Sequence, residues 1–403
     1  MIPEIVVVNL PSPFLEDQLW IYPLGILNFV TYLKHEGYSV GVMDLASFNL
    51  EPLDLIVRLL RTIKSPIVGV SVTTPQARFL PLFPTAFGKE VKLVVGGPHA
   101  TIEKFNLQVF GFNVVAGEAD TKFIADMVMT SKNYVVCGEP VKDLDSLPFP
   151  DRSFFTGYKG PLPVMAHRGC PYSCNFCCKT LSKEVRMRSP ENIVEELKEL
   201  HRRYPDKEEI IFYDETFTFN YDWVDRLCRL IRNSHLRKRL RCSTRGDKLT
   251  PEIAWALKSA GFEEVCVGVE SGSNKILKNL NKCISVEKSS EAVKICHKAG
   301  LKFKAYIMIG CPGEDWDTLT DTYKWIEENK PDTVGLYMYT PLPGSDIWDH
   351  KEEYDLEFSL DYDRAYYGGK REELVSVVST KTLSKHDITC AYWELLRILE
   401  KKV

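Results

Sequence analysis

The chain has 403 residues, a formal net charge of −4 at pH 7, and 44% hydrophobic and 26% charged residues. These values are typical of a globular protein with two or three domains, and the mixed charges without a basic run argue against nucleic-acid binding. No apolar stretch is long enough to span a membrane and no signal peptide is recognisable, so the sequence predicts a cytoplasmic protein.

Residues 1–133 alternate short apolar runs with amphipathic stretches, which predicts a doubly wound, Rossmann-like α/β domain. Val- and Ile-rich runs are typical of strands buried on both faces. The predicted strands are Ile5–Asn9, Ser39–Asp44, Ile67–Val72, Lys92–Val95 and Asn113–Ala116, and the predicted helices include Leu24–His35 and Asp54–Ile63. Residues 134–161 are rich in proline and poorly periodic, and we interpret them as a linker.

A second series of alternating strands and helices is predicted for residues 162–345. Its strands are Leu162–Arg168, Glu209–Tyr213, Leu240–Ser243, Glu264–Val269, Lys302–Met308 and Thr333–Tyr339, and one intervening helix is Ser189–Tyr204. Six strands with helices between them predict a partial (β/α)6 barrel, whose chemistry is expected at the carboxyl ends of the strands. Residues 346–403, with a helix predicted at Ser384–Lys401, are interpreted as a small C-terminal cap.

Four of the twelve cysteines lie in one short segment: Cys170, Cys174, Cys177 and Cys178. The first 136 residues contain no cysteine, which argues against a disulfide framework and for a reducing compartment. The first three form a C-x3-C-x2-C pattern after a predicted strand. Three thiolates on one loop can hold three corners of an iron–sulfur cube and leave the fourth iron open. The alternatives are a zinc site completed by Cys178 or His167, or buried thiols without a metal.

This cysteine pattern, at the end of the first strand of a six-strand series, resembles the signature of the radical SAM enzymes. Phe176, the aromatic residue before the third cysteine, is also similar to their pattern. The resemblance implies that Cys170, Cys174 and Cys177 bind a [4Fe–4S] cluster whose open iron chelates S-adenosylmethionine. It also implies that an electron, from a donor such as flavodoxin or ferredoxin, cleaves S-adenosylmethionine to a 5′-deoxyadenosyl radical.

The later strand ends carry residues that the resemblance assigns to S-adenosylmethionine. With the aromatic residue of the cysteine loop, they are Phe176, Asp214, Glu215, Ser243, Arg245, Glu270, Ser271, Ile309 and Gly310. Carboxylates suit the methionyl ammonium, which only donates hydrogen bonds, and Arg245 can fork onto the methionyl carboxylate. Taken singly, Glu270 is better explained by an ion pair or a helix cap than by ligand binding, and Gly310 by a turn. Their joint placement on successive strand ends favours the functional interpretation.

The strand ends of the N-terminal domain resemble the cobalamin-binding domain of the cobalamin-dependent radical SAM enzymes. The residues implied to contact cobalamin are Leu10, Pro11, Ser71, Thr73, Thr74, Gly96, Gly97, Pro98, His99, Gly117 and Glu118. Ligands of open α/β sheets lie beyond the carboxyl ends of the strands, and Gly96 and Gly97 would let a bulky cofactor approach the backbone. The Asp-x-His-x-x-Gly motif that supplies a cobalt-ligating histidine is absent, and the domain has only His35 and His99. The alternative is a structural α/β domain, or one that binds another nucleotide.

The leading prediction is a cobalamin-dependent methyltransferase that acts on carbon or phosphorus in a small-molecule substrate. The alternative enzyme uses the same cofactors for a rearrangement, ring closure or ring contraction without methyl transfer. A non-enzyme alternative is an iron–sulfur sensor or electron carrier with Cys178 as the fourth ligand. A methylthiotransferase is disfavoured because no cysteine precedes Cys137 to bind a second cluster. Substrate contacts are predicted at Tyr337, at Tyr339 and in the stretch from Tyr366 to Gly369.

Overall fold

The structure is a computed structural model that describes residues 2–12, 15, 17–46, 53–178, 180, 182–359 and 374–400. It divides into two compact units. Unit 1 contains Met1–Gly160 and Lys179–Leu181, and unit 2 contains Pro161–Cys178 and Ser182–Val403. Within the described ranges, no helix is both long enough and apolar enough to cross a membrane.

Unit 1 is built on a parallel sheet that, among the described residues, has six strands in the order β2-β1-β3-β4-β5-β6. The strands are β1 (Ile5–Asn9), β2 (Val40–Asp44), β3 (Ile67–Ser71), β4 (Lys92–Gly96), β5 (Asn113–Gly117) and β6 (Val135–Gly138). The helices are α1 (Leu24–His35), α2 (Leu53–Leu60), α3 (Leu82–Phe87), α4 (Pro98–Ile102), α5 (Lys104–Val109) and α6 (Lys122–Thr130). The strand order changes direction between β1 and β3, and ligands of doubly wound sheets bind at such a switch point.

Strand β6 lies inside the segment that the sequence predicted to be a linker. It pairs in parallel with β5, from Val114 opposite Val135 to Gly117 opposite Gly138. Its sequence, Val-Val-Cys-Gly, is too short to give a clear strand pattern. The sheet of unit 1 therefore continues one strand beyond the predicted five.

Unit 2 is built on a second parallel sheet, which in the described residues has six strands in the order β14-β13-β12-β11-β10-β7. The strands are β7 (Leu162–Val164), β10 (Glu209–Phe212), β11 (Arg239–Thr244), β12 (Phe262–Glu270), β13 (Lys302–Ile309) and β14 (Thr333–Met338). Two short antiparallel pairs join β8 (His167–Arg168) to β9 (Arg186–Met187) and β15 (Leu356–Phe358) to β16 (Val378–Thr380). The helices are α7 (Pro190–Arg203), α8 (Tyr221–Asn233), α9 (Pro251–Ser259), α10 (Asn274–Asn279), α11 (Val286–Ala299), α12 (Trp316–Asn329), α13 (Asp346–Asp349) and α14 (Lys385–Glu400).

Local sequence explains where several of these helices begin. Helix α7 starts at Pro190, and the side chain of Ser189 accepts a hydrogen bond from the Asn192 amide, as a Ser-Pro start predicts. Helix α12 starts with a capping box between Asp315 and Thr318. Because α12 follows the carboxyl end of β13, its start lies at the edge of the sheet where the sequence predicts the site.

Candidate functional site

The three predicted cluster ligands lie on a loop that leaves β8 through Gly169. This glycine has a φ of +102°, and an added Cβ would collide with the Glu184 carbonyl oxygen, so only glycine fits. The Cys170 amide donates to the Ser182 carbonyl (3.1 Å), and the Cys177 amide donates to the Cys174 carbonyl (3.2 Å). The loop is therefore folded back on itself and tied to the chain that follows it.

Contacts from two later segments of unit 2 fix the same loop. The Asn175 amide donates to the Leu280 carbonyl at 3.0 Å, and the Asn281 side chain donates to the Ser173 carbonyl at 2.8 Å. The Ile347 amide donates to the Asn175 carbonyl at 3.2 Å. The cysteine loop is thus held by the segment after β12 and by the segment after β14.

The thiols of this loop act on one another electrostatically. Burial, followed by the neighbouring thiols of Cys174 and Cys170, raises the pKa of Cys177 to about 11. The pKa of the Cys174 thiol is also raised by burial, although the cations of Lys282 and Arg245 act to lower it. No group of three or more His, Cys, Asp or Glu side chains in the described residues could hold a single metal ion. A [4Fe–4S] cluster binds each thiolate to a different iron, and three clustered thiols with two adjacent cations fit that donor set.

Lys282 is a cation beside the cysteine loop that the sequence prediction missed. Its Nζ lies 2.7 Å from Glu270 Oε1, and both side chains are less than one-tenth exposed. The same Nζ is 5.6 Å from the ring centroid of Phe176, within the range of a cation–π contact. Glu270 has a φ of +68°, which is rare for a residue with a side chain and is typical of functional or strained positions. The contact depends on the path of the chain between β12 and α11, so no local motif marks Lys282.

Arg245 is the second cation beside the thiols, and it was predicted. Its Nε lies 2.9 Å from Asp247 Oδ1, and its Nη2 donates to the Lys282 carbonyl oxygen at 2.9 Å. Its guanidinium carbon stands 3.9 Å from the ring centroid of Tyr172 in the cysteine loop. The side chain is therefore fixed in place, and its predicted contact with the methionyl carboxylate stays a prediction.

Asp214 has a structural role that the sequence did not indicate. Its Oδ1 accepts hydrogen bonds from the amides of Ala166 (2.8 Å) and His167 (2.6 Å). These bonds end the ladder of β7, which explains why the predicted strand Leu162–Arg168 is divided into β7 and β8. The side chain of Asp214 is wholly buried, and burial raises its pKa. The adjacent Glu215 carries the more exposed carboxylate of the two.

The remaining predicted contacts of S-adenosylmethionine differ in accessibility. Ser243 is half-buried, whereas Ser271 is fully buried and its Oγ lies 3.1 Å from Thr322 Oγ1. Ile309 is also buried, and a Cβ added to Gly310 would lie 3.1 Å from Val378 and Ile388 of the C-terminal segment. Glu270, Arg245, Phe176 and the cysteines are therefore brought together, while Ser271 and Ile309 are packed inside.

Glu314, just after β13, is a second residue that the prediction missed. Its Oε2 accepts hydrogen bonds from the amides of Gly310 and Cys311, the second at 3.2 Å. Because the side chain is fully buried, the pKa of Glu314 is raised to about 8. The carboxyl group thus shapes the turn at Gly310.

In unit 1, Gln76 joins the ends of β1 and β3 at the switch point. Its Nε2 donates to the Leu10 carbonyl at 2.8 Å, and its Oε1 accepts from the Thr73 amide at 2.9 Å. Leu10, Pro11 and Thr74 are buried around it. The sequence analysis overlooked Gln76 because it lies five residues beyond the end of β3, outside the strand pattern.

Several residues implied to contact cobalamin are explained by packing within unit 1. At Gly97, with a φ of +95°, a Cβ would lie 2.6 Å from Ser71 Oγ, whereas at Gly96 the nearest atom would be 3.6 Å away. His99 is buried with its Nδ1 3.3 Å from Thr74 Oγ1, and burial lowers its pKa.

Three further positions complete this set. Glu118 Oε2 accepts from the Val141 amide at 3.1 Å, and Gly117 has a φ of +77°. Thr73 and Pro98 are exposed.

The predicted substrate residues lie in different environments. Tyr337 is half-buried, and Tyr339 is only 2% exposed, with a hydroxyl that has no hydrogen-bond partner among the described residues. The stretch from Tyr366 to Gly369 lies outside the described residues.

Residues 164–326 match the radical SAM superfamily. Over 372 residues, the chain is 28% identical to an uncharacterized methyltransferase of Pyrococcus horikoshii, with 84% of this chain and 80% of the relative covered. It is 25% identical to the anaerobic magnesium-protoporphyrin IX monomethyl ester cyclase of Rubrivivax gelatinosus, and this match covers 83% of this chain and 68% of the cyclase.

Two solved structures share the fold. One is the radical S-adenosylmethionine methyltransferase TsrM from Kitasatospora setae, with cobalamin and a [4Fe–4S] cluster bound. Its TM-score is 0.69 at 17% sequence identity, and the match covers 89% of this chain and 77% of the TsrM chain. The cobalamin-dependent radical enzyme OxsB, with aqua-cobalamin and S-adenosylmethionine bound, has a TM-score of 0.67 at 18% identity, and the match covers all of this chain and 61% of OxsB.

Residues 164–326 are therefore similar to the radical SAM superfamily, whose cofactors are a [4Fe–4S] cluster and S-adenosylmethionine, and the prediction of an enzyme is confirmed. The predicted α/β fold class is confirmed, and the chain shares its fold with TsrM and OxsB.

Proposed function

We propose that this protein is a cobalamin-dependent radical SAM methyltransferase that acts on a small molecule. The observation that carries the proposal is the cysteine loop, whose Phe176 and Tyr172 rings lie against the cations of Lys282 and Arg245 at the carboxyl ends of the strands of unit 2. Methyl transfer is supported by the methyltransferase of Pyrococcus horikoshii and by the shared fold of TsrM.

Cys170, Cys174 and Cys177 hold the cluster in this proposal, and Phe176 covers it. When bound, a [4Fe–4S] cluster supplies the electron that cleaves S-adenosylmethionine to a 5′-deoxyadenosyl radical. The Lys282 ammonium offsets the negative charge that three thiolates bring into a partly buried loop.

The Glu270–Lys282 pair and Arg245 orient S-adenosylmethionine. The methionyl group carries an ammonium and a carboxylate, and the buried pair presents one carboxylate and one ammonium 2.7 Å apart. In this proposal, the Glu270 carboxylate accepts a hydrogen bond from the methionyl ammonium. The cations of Lys282 and Arg245 donate hydrogen bonds to the methionyl carboxylate. Glu215 and Ser243 offer further polar atoms at neighbouring strand ends.

Unit 1 binds cobalamin at its switch point in this proposal, beyond the ends of β1, β3 and β4. When bound, cobalamin supplies a carrier for the methyl group. His99 is buried against Thr74, and His35 ends α1, so neither is placed to ligate cobalt from this edge. We therefore expect the corrin to bind without a protein imidazole, through contacts with exposed groups such as Thr73 and Pro98.

The test is anaerobic reconstitution with iron, sulfide and cobalamin, followed by incubation with a reductant and S-adenosylmethionine labelled in its methyl group. The expected result is retained corrinoid absorbance, formation of 5′-deoxyadenosine and, with substrate, a labelled product. Cys174→Ser should lose the cluster and 5′-deoxyadenosine formation but keep the corrinoid. Failure to retain corrinoid would contradict the cobalamin assignment and leave the radical chemistry standing.

A second candidate function is ring closure without methyl transfer. It is favoured by the cyclase of Rubrivivax gelatinosus, which is similar to 83% of this chain. The same labelled incubation separates the two candidates, because ring closure consumes S-adenosylmethionine to 5′-deoxyadenosine and leaves the product unlabelled.

A further inference from the structure

Side chains on the sheet of unit 2 alternate between two faces. On one face the side chains are packed and at most 2% exposed, as Phe212, Cys242 and Phe303 are. The other face, which we call the half-buried face, carries Tyr213, Ser243, Cys266, Tyr306, Met308 and Tyr337. The strand register places Ser243 opposite Cys266 and Met308 opposite Tyr337. All of these except Cys266 are partly exposed, so the face is accessible from solvent.

Two phenol rings form an aromatic surface on this face. The ring centroids of Tyr306 and Tyr337 are 6.0 Å apart. Gly335 is paired with Tyr306, and a Cβ there would lie 2.8 Å from Tyr306 Cδ1 and 3.2 Å from Tyr337 Cε2. The absence of a side chain at Gly335 therefore lets both rings lie against strand β14.

The charges of the half-buried residues on this face cancel, whereas Arg239 and Lys302, which the register places on the same face, are exposed. Arg241 lies between two carboxylates, with Nε 3.0 Å from Glu209 Oε1 and Nη1 3.3 Å from Glu264 Oε1. Lys304 Nζ is 5.5 Å from the ring centroid of Tyr306. Two cations and two carboxylates leave no net formal charge beside the phenol rings, so this surface does not favour an ionic group.

The half-buried face also leads to the cysteine loop. Gly268 lies opposite Tyr306 on the neighbouring strand. A Cβ added to Gly268 would collide with Glu270 Oε1 and lie 2.9 Å from Lys282 Nζ, so this ion pair lies directly beside Gly268. Lys282 acts electrostatically on Cys174 and Cys177. A molecule on this face would therefore lie next to the ion pair that borders the thiols.

We propose that the half-buried face binds an uncharged, planar aromatic ring of the substrate, with Tyr306 and Tyr337 in contact with that ring. This inference rests on the proposed function, since it places the substrate beside the source of the radical. Aromatic rings at centroid separations of about 4.5–7 Å attract each other beyond the burial of area alone, and phenol rings can stack or meet edge to face. The zero net charge of the half-buried residues on this face disfavours a carboxylate or an ammonium on the bound ring.

The experiment is equilibrium dialysis of the cluster-reconstituted protein loaded with S-adenosylmethionine. The probes are indole, which is neutral and aromatic, benzoate, which is charged, and cyclohexanol, which is not aromatic. Indole should bind most tightly, and the double variant Tyr306→Leu/Tyr337→Leu, which keeps apolar volume, should weaken it roughly tenfold. Tyr306→Phe/Tyr337→Phe keeps both rings and should bind indole within about twofold of the parent. Tyr221→Leu is the matched control, because Tyr221 is 47% exposed at the start of α8.

Equal binding of the three probes, or unchanged indole binding in the leucine variant, would overturn the proposal. If the leucine variant loses its cluster, the phenylalanine variant and the ranking of the three probes still decide the outcome. Formation of 5′-deoxyadenosine is measured in the same samples. Its absence in the parent protein would contradict the proposed function, while the binding data would still test the aromatic face.

Discussion

Replacing Lys282 with methionine should leave a buried carboxylate on Glu270 without its cation. The two charged atoms are 2.7 Å apart, and the side chains are 8% and 9% exposed. At an effective dielectric constant of about 20, two unit charges at this distance attract each other by about 6 kcal/mol. Desolvation offsets part of this attraction, and breaking one partner of a buried pair costs about 3–5 kcal/mol. We therefore expect Lys282→Met to lower the free energy of unfolding by about 3–5 kcal/mol.

A double-mutant cycle with Glu270→Gln isolates the pair. The double variant carries neither charge, so it should regain much of the stability lost in Lys282→Met, with a coupling of about 2 kcal/mol or more. Anaerobic urea unfolding, followed by tryptophan fluorescence, measures these differences. Lys275→Met is the matched control, because Lys275 pairs with Asp315 at 2.6 Å but is 54% exposed, and it should cost less than about 1 kcal/mol. Strictly additive losses at Lys282 and Glu270 would refute the reasoning.

Three further predictions concern folding and the cluster. Gly97→Ala should lower the free energy of unfolding in urea by about 2–4 kcal/mol, because the added Cβ would clash at a positive φ. The control Gly37→Ala has a φ of +92° and no atom within 4 Å of the added Cβ, so it should cost about 1 kcal/mol. Equal losses in the two variants would contradict the predicted clash at Gly97. Burial raises the pKa of Glu314 from 4.5 to about 8, so its contribution to stability is full below pH 4.5 and is lost as the pH rises through 8. Glu314→Gln should therefore flatten the fall of the thermal midpoint between pH 5 and 8, and an unchanged slope would count against this assignment. The Cys178→Ser variant should keep its cluster iron after reconstitution, whereas the Cys177→Ser variant should lose it. Equal loss of iron in both variants would favour a cluster site with four cysteine ligands.

Elements with strong local patterns could be predicted from the sequence to the residue. Strand β1 was expected at Ile5–Asn9 and helix α1 at Leu24–His35, and both have those bounds in the structure. In β1, Ile5 and three successive valines form an apolar run that is bounded by Glu4 and Asn9. In α1, apolar residues recur on one face, and the buried side chains follow that period.

Features set by contacts between distant residues could not be predicted in this way. The apolar run at Leu162–Arg168 predicts one continuous strand, but the Asp214 carboxylate takes the amides of Ala166 and His167 out of the ladder. Those partners are more than 45 residues apart in the chain. Lys282 was missed for the same reason, since its contact with Glu270 requires a turn and a helix between them.

At the strand ends of unit 1, the residue type alone does not distinguish a position needed for packing from one that contacts a ligand. Gly97 was predicted to make room for a cofactor, but the backbone that follows β3 already fills the space beside it. His99 was predicted to contact the same cofactor, but its imidazole is buried against Thr74. Substitutions at Gly97 and His99 should therefore change the stability of unit 1 first. A substitution at Pro98, which is exposed beyond the same strand ends, should change corrinoid retention without that loss of stability.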